Sequence, residues 1–512
     1  MDPIELSLFS SRVDAICAEM GAMLQHAALS PNIKDRLDFS CAVFDAGGAL
    51  CAQAAHIPVH LGSMAYAMSD IVRRTAWRPG DMVIVNDPFL GGTHLPDVTV
   101  IAPLFAGDEP VAFVANRAHH ADIGAASPGS MPVSRHIDEE GLVIPPTHLL
   151  RGGVWEAGAR DRICAATRSA EGTYADLAAQ VSANRCGLAR LEGLIGGMGP
   201  AAFHAHVAAL NDYAERLARG ALQVVPAGVY SFRDRLDDDG AGTVDLPIVV
   251  TLTVGEGTVH ADFTGTAPQS PGNVNCPLAV AAAAVHYVFR CLMPAHTPAC
   301  AGAMRPVTLS APPGSLLNAR RPAAVAAGNV ETSSRVVDVV LGALAGAVPQ
   351  LIPAASHGSM NNVAMGGRGA VQWDYYETVG GGMGAGPCGG GLSAVQTHMT
   401  NTRNTPIESI EMHYPLRLAR YAVRTGSGGP GRRRGGDGIV REYRFLTETM
   451  VTLLTERRRH APWGLAGGGA GEPGENLYNG RRLPAKTAFV AGPGDTLVVM
   501  TPGGGGWGQP GD

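Results

Sequence analysis

Two short segments gather the residue types that hold metal ions. The first, Asn86-Asp87-Pro88-Phe89-Leu90-Gly91-Gly92-Thr93-His94-Leu95-Pro96-Asp97, follows the apolar run Met82 to Val85; the second, Asn116 to Gly124 with His119, His120 and Asp122, follows Val111 to Ala115. Both lie where a predicted strand gives way to a loop, a place from which side chains are aimed into clefts. Imidazole nitrogen and carboxylate oxygen are ordinary ligands of a borderline divalent cation, so His94, Asp97 and His119 are read as metal ligands, with zinc or manganese as the ion. Either cluster by itself reads more readily as polar residues capping turns. Their recurrence at successive strand ends is what favours a metal site. His120 and Asp122 are then candidates for orienting a ligand and for catalysis, and Asn86 and Asp87 for holding substrate.

Two further stretches place polar groups in apolar surroundings. His56-Ile57-Pro58-Val59-His60 sets two histidines around a proline just ahead of a predicted helix, where they either line the cleft or close a turn; His60 is the substrate-binding candidate. Glu139 to Pro146 carries carboxylates that burial could raise into the range of a general base, which makes Glu140 a catalytic candidate, and a solvated turn is an equal reading. The chain has no G-x-x-x-x-G-K-[ST] loop, no G-x-G-x-x-G between a clear strand and helix, no G-x-S-x-G elbow and no H-E-x-x-H pair. The common nucleotide-binding, serine-hydrolase and zinc-hydrolase signatures are thereby excluded.

The elements that must position these residues follow from periodicity. Asp2, Pro3 and Glu5 have the form of a cap, a first-turn proline and a capping-box acid, and Phe9, Val13, Ile16, Met20 and Met23 recur at helical spacing behind them. Short apolar runs over 39–44, 82–85, 98–104 and 111–115 read as strands. Helical spacing returns over 176–195 and 201–217; beyond Tyr230, strands at 248–254 and 258–263 alternate with helices at 278–292 and 332–344. The reading is an α+β fold, mixed α and β in multiple layers, with several mixed sheets, glycine-rich loops and a helical connecting region. Its divisions are a metal-site α/β region over 1–170, the helical connection over 171–226, a mixed α/β region over 227–350 and a glycine-rich, strand-dominated region over 351–512.

Composition narrows the function classes. Of 67 glycines, many crowd into 380–391, 426–438, 464–471 and 503–508, which must be turns or places of close backbone approach. They are either ordered loops between strands or ligand-facing segments, and 380–391 lacks the lysine and hydroxyl residue that complete a phosphate cradle. A hydrophobic share of 46% and a charged share of 16% describe a compact globular chain. With a net charge of -6 and basic runs only at Arg432 to Arg434 and Arg457 to Arg459, a nucleic-acid groove is not indicated. The nine scattered cysteines, the absence of a leader-like N-terminus and the lack of a long apolar run point to a cytoplasmic protein with no membrane association.

Longer composite motifs carry a resemblance. Ser30-Pro31-Asn32-Ile33-Lys34-Asp35-Arg36-Leu37-Asp38-Phe39-Ser40, the stretches 56–64, 86–97, 119–124, 139–146 and 265–275, Gly328-Asn329-Val330-Glu331-Thr332-Ser333, Asn361-Asn362 and the closing Thr501 to Gly508 together resemble the hydantoinase B family over nearly the whole length. That family includes N-methylhydantoinase B subunits, the C-terminal part of oxoprolinases and related subunits of acetone and acetophenone carboxylases. The resemblance implies a metal-bearing subunit of a hetero-oligomer that opens hydantoin-, oxoproline- or lactam-like rings, with His94, Asp97 and His119 as the ligands. It also implies a hydantoinase A-type partner of actin-like fold that binds ATP and magnesium. A ketone carboxylase subunit and a non-catalytic scaffold are the alternatives. Two positions depart from the family pattern: His357 stands where glutamine is expected, and His148 replaces a nonpolar or basic residue.

Overall fold

The computed structural model describes residues 2–54, 57–369 and 372–511, so His56 lies outside the described residues. Helix α1 (Pro3–Ala27) starts as its sequence dictates, with the Asp2 side chain accepting from Ile4 N at 3.0 Å. Glu5 does not close a capping box; its carboxylate sits 3.1 Å from His206 Nε2 instead. Short α2 (Pro31–Lys34) leads into the first sheet, and α3 (Pro58–Arg74) begins earlier than the sequence suggests, which puts His60 in its first turn rather than ahead of it.

The first sheet is antiparallel, in the order β2-β1-β5-β4-β3-β6-β7. Its strands are β1 (Phe39–Asp45), β2 (Leu50–Gln53), β3 (Met82–Val85), β4 (Asp97–Ala106), β5 (Glu109–His119), β6 (Thr147–Arg151) and β7 (Val154–Trp155). Successive side chains leave a strand on opposite faces, and here both faces are covered. Helices α4 (Ala157–Ala166), α5 (Ala170–Met198) and α6 (Pro200–Leu222) follow the sheet. Cys41, Val43, Val98, Val100 and Val114 join the cluster that holds α1 and α5. Their neighbours Ala42, Phe44, Ile101, Phe113 and Ala115 pack instead with Met64, Met68 and Ile71 of α3. Burial on both sides explains why these strands read as continuous apolar runs rather than alternating ones.

The second sheet contains β8 (Gly228–Asp238), β9 (Val244–Gly255), β10 (Thr258–Asp262) and β11 (Val307–Ser310), with β10 and β11 parallel. Helix α7 (Leu278–Leu292) packs between α3 and α9 (Ser333–Ala345), short α8 (Ala301–Met304) lies against α6, and α9 rests on β8 and β9. A π-helical turn, Gly328–Thr332, runs into α9. The third sheet is β13-β12-β16-β19 and the fourth β14-β15-β20-β17-β18. Their strands are β12 (Asn362–Arg368), β13 (Gln372–Glu377), β14 (Leu416–Arg424), β15 (Gly438–Phe445), β16 (Thr449–Leu454), β17 (Glu475–Tyr478), β18 (Arg481–Arg482), β19 (Lys486–Ala491) and β20 (Thr496–Met500). An apolar cluster including Val363, Tyr375, Tyr443, Leu453 and Val499 joins these two sheets. The fold is α+β with several sheets.

The glycine-rich segments hydrogen-bond to one another backbone to backbone: Gly429 N donates to Gly504 O, Gly504 N to Gly436 O and Gly436 N to Met383 O, at 2.8–2.9 Å. A Cβ on Gly504 would lie 2.1 Å from Met383 O and one on Gly435 1.9 Å from Gly504 O. Close approach of backbones, not an unusual φ, is what demands glycine at these two positions. No helix among the described residues is long and apolar enough to cross a membrane.

Candidate metal centre

The antiparallel β4/β5 hairpin brings its far ends together. Asp97, the first residue of β4, is paired with His119, the last of β5, and His119 N donates to Asp38 O at 3.0 Å across to the start of β1. Directly opposed residues in an antiparallel pair point to the same face. Asp38, His119 and Asp97 thus form a row on the α3 face of the sheet, and all three line a small cavity of about 20 Å³. His94 enters from the loop before β4, with Asn329, Tyr376 and the α3 residue His60 completing much of the wall. Such a space accommodates a single water-sized occupant.

His94, Asp97 and His119 each present one ligand atom within 4.8 Å of the others, and all three residues are buried. His94 Nε2, Asp97 Oδ1 and His119 Nε2 have no hydrogen-bond partner, although His94 Nε2 lies 3.2 Å from Asp97 Oδ1. Each ligand is oriented from behind. His94 Nδ1 faces Ala326 O at 3.2 Å and His119 Nδ1 faces His120 O at 3.1 Å, with Asn32 Nδ2 further from the latter atom at 3.4 Å. The facing carbonyls hold a proton on Nδ1 in both rings and so make Nε2 the ligating atom of each; Nε2 of His119 is bare, and Nε2 of His94 gives up the proton that Asp97 favours when a cation binds. The second carboxylate oxygen of Asp97 accepts from Thr93 Oγ1 at 2.6 Å and Asn329 Nδ2 at 3.1 Å. Three donor atoms converging without hydrogen-bond partners are what a divalent cation would satisfy, and nitrogen and oxygen donors in this mixture suit zinc or manganese.

Burial holds the His119 imidazole down at about 4, so it is neutral. Burial opposes charge on His94 too, but Asp97 beside it more than compensates and raises it above its ordinary range. For Asp97 burial alone would act upward; the nearby His94 and His60 win, and the carboxyl stays well below its usual value. His60 hydrogen-bonds Ser40 Oγ through Nδ1 at 3.0 Å and places Nε2 3.4 Å from Asp97 Oδ2. Its position in the cavity wall, like that of Asp38, makes it available as a further donor.

The remaining candidates do not line this cavity. His120 is next to His119 and points the other way, to Gln180 Oε1 of α5 at 3.0 Å. Asp122 accepts from Gly124 N, Ser130 Oγ and Arg168 N and pairs with Arg168 at 2.8 Å, lining a different cavity of about 230 Å³ together with His120. Asn86 is consumed by backbone: its Nδ2 donates to Leu95 O and Leu142 O and its Oδ1 accepts from Ile144 N. Asp87 caps the turn Pro88–Leu90 and pairs with Arg321, beside a larger cavity of about 820 Å³ walled in part by Tyr66, Phe89, His148 and Arg321. Glu140 does not line the metal cavity. Its Oε1 accepts from Ser134 Oγ, Val325 N and Ala326 N, the last belonging to the residue whose carbonyl orients His94, and burial pushes its carboxyl up to about 7. His357 is buried beneath Gly381 and is not among the residues that line the metal cavity.

Sequence reasoning missed Asp38, Asn329 and Tyr376. Asp38 and Asn329 stand within the family-like stretches, but their spacing gives them no role, and the ring of Tyr376 stacks on His119 with centroids 4.8 Å apart and planes at 10°. Leu37 adopts φ 59° immediately before Asp38, a conformation rare for a branched apolar residue and of the kind found where a neighbouring side chain must be aimed.

Residues 2–510 match the family model for hydantoinase B/oxoprolinase. The chain belongs to that family. It is 40% identical to 5-oxoprolinase 1 of Arabidopsis thaliana over 99% of its own length but only 42% of that protein, so it corresponds to less than half of the plant enzyme. Against a D-/L-hydantoinase B-type protein of a Pseudomonas species it is 32% identical, covering 100% of this chain and 90% of the relative. Among solved structures, the ATP-dependent caprolactamase of Pseudomonas jessenii superposes with a TM-score of 0.92 at 27% identity, over 99% of this chain and 91% of the other.

Proposed function

We propose that this chain is the metal-binding subunit of an ATP-linked cyclic amide hydrolase, opening hydantoin-, oxoproline- or lactam-like rings together with a hydantoinase A-type subunit. The observation that carries the reading is the convergence of Nε2 of His94, Nε2 of His119 and Oδ1 of Asp97, none of them with a hydrogen-bond partner, in one small cavity. Kinship with hydantoinase and oxoprolinase proteins and likeness to a caprolactamase support the choice of ring substrates. ATP and magnesium are assigned to the partner, and a cytoplasmic setting accords with nine cysteines that form no disulfide.

His94, Asp97 and His119 would hold zinc or manganese, which supplies Lewis-acid polarisation of an amide carbon–oxygen bond when bound. The chain's own residues do the rest of the positioning. The carbonyls of Ala326 and His120 fix which nitrogen of each histidine is the ligating one, Thr93 and Asn329 hold the back of the Asp97 carboxylate, and Arg117 pins the loop that carries His94 by donating to Gly91 O at 3.0 Å. Glu140 steadies the Ala326 peptide from behind. His60, whose Nε2 faces the cavity beside Asp97, is the group placed to exchange a proton or a hydrogen bond with a substrate there.

The test is an assay of the chain with ATP, magnesium and a panel of hydantoins, oxoproline and lactams, with and without the co-encoded hydantoinase A-type subunit. Ring opening that needs both chains supports the reading. Turnover only with bicarbonate and a ketone, with no ring opened, would assign a carboxylase subunit instead.

A further inference from the structure

One five-residue turn reaches two of the three proposed ligands by separate routes. From the π-helical turn Gly328–Thr332, Asn329 Nδ2 donates to Asp97 Oδ2 at 3.1 Å. Two residues on, Glu331 Oε1 accepts from Met360 N at 2.9 Å and from Asn362 Nδ2 at 2.7 Å. Asn362 Oδ1 accepts in turn from the Tyr376 hydroxyl at 2.7 Å, and the Tyr376 ring lies nearly parallel to the His119 imidazole, 4.8 Å away. Asn362 Nδ2 also donates to Leu454 O at 2.7 Å, which fixes the amide's orientation. The Arg36 guanidinium sits 4.9 Å from the Tyr376 ring centroid and donates to Tyr376 O at 3.0 Å. Glu331, Asn362 and Tyr376 are all buried. Irregular π-turns of this kind are concentrated at functional sites, where they redirect side chains that a regular helix would place elsewhere.

A histidine ligand is defined by two settings. The proton on its far nitrogen decides which atom is bare, and the plane of its ring decides where that lone pair points. For His119 the carbonyl of His120 provides the first. We infer that Glu331, Asn362 and Tyr376 provide the second: they are a positioning chain that fixes the plane of the His119 ring and thereby sets how tightly the cavity holds a divalent ion. The inference rests on the metal centre proposed above. Without the chain, the ring must be ordered at the moment of binding, and affinity falls by the cost of that ordering.

The experiment measures Zn²⁺ and Mn²⁺ affinity of the full chain by competition with a chromophoric chelator, alongside the unfolding midpoint of the metal-free protein. Tyr376→Leu and Glu331→Ala should weaken binding about tenfold to a hundredfold, in the range of other residues that orient metal ligands. Glu331→Gln keeps the accepting Oε1 and should restore affinity to within about threefold of the parent. Tyr376→Phe removes only the hydroxyl tether and is the variant least disruptive to folding; it should weaken binding about fivefold or more. Tyr375→Phe, on the neighbouring residue that faces the other core, should leave affinity unchanged. If Tyr376→Phe and Glu331→Ala bind metal within about twofold of the parent, the positioning chain is refuted while the metal centre stands. If the parent chain itself binds neither ion, the metal centre fails and the inference with it.

Discussion

Replacing Asn86 by alanine separates a residue that holds substrate from one that builds the site. Its side chain makes three hydrogen bonds to backbone, to Leu95 O at 2.8 Å, Leu142 O at 3.0 Å and Ile144 N at 2.7 Å, and it is fully buried. Truncation leaves two carbonyls and one N–H without these partners in a largely buried region, at about 1–3 kcal/mol each where water cannot reach them. With partial relaxation the loss should be about 3–5 kcal/mol. Because Leu95 adjoins His94, the loosened loop also frees a proposed ligand, and metal affinity should drop about tenfold. A chain with several sheets need not unfold in two states, so the assay is the calorimetric midpoint with and without added Zn²⁺, together with metal content after dialysis. The midpoint should fall by several degrees and the retained metal should fall with it. An Asn86→Ala variant of normal midpoint and normal metal content, but with a raised KM for the ring substrate, would refute this reasoning and return Asn86 to substrate contact.

Three other outcomes follow from the same geometry. Burial, with Glu456 nearby, pushes the Glu331 carboxyl up to about 7, so the folded chain holds that proton more tightly than the unfolded one. The resulting stability is fully present below about pH 4.5 and lost as pH rises through about 7, up to about 3 kcal/mol, and Glu331→Gln should remove that part of the pH slope in denaturation curves. Glu140→Gln, which keeps the accepting Oε1, should leave turnover with the partner subunit within about threefold, whereas a residue that moves the reacting proton would cost about a hundredfold or more. Gly504→Ala drives a Cβ to 2.1 Å from Met383 O and should prevent soluble expression, while Gly193→Ala, in α5 with open space around it, should raise stability by about 0.5–1 kcal/mol as read by thermal unfolding.

What was legible in the sequence was local. The strand ahead of Asn86 could be read from an apolar run bounded by turn residues, as could the middle of the strand that ends in His119, although the apolar run stops at Ala115 and the strand continues through four more residues. The antiparallel pairing of β4 with β5 then turned residues at two strand ends into the spatial pair Asp97 and His119. His120 and Asp122 shared the motif but not the face: the two-residue period of a strand sends His120 to α5, a consequence already implied once β5 is taken to run through His119. The long-range members were not legible. Asn329, 232 residues beyond Asp97, and Tyr376, further along still, reach the cavity only through the docking of the π-turn and the third sheet, which no local pattern specifies.

The most direct test of the central claim is the metal content of purified chain after exposure to Zn²⁺ or Mn²⁺ and exhaustive dialysis, compared with the double variant His94→Ala and Asp97→Ala at matched secondary structure. A metal centre built on these residues predicts about one tightly held divalent ion per parent chain and essentially none in the variant. Equal metal content in the two proteins would contradict it.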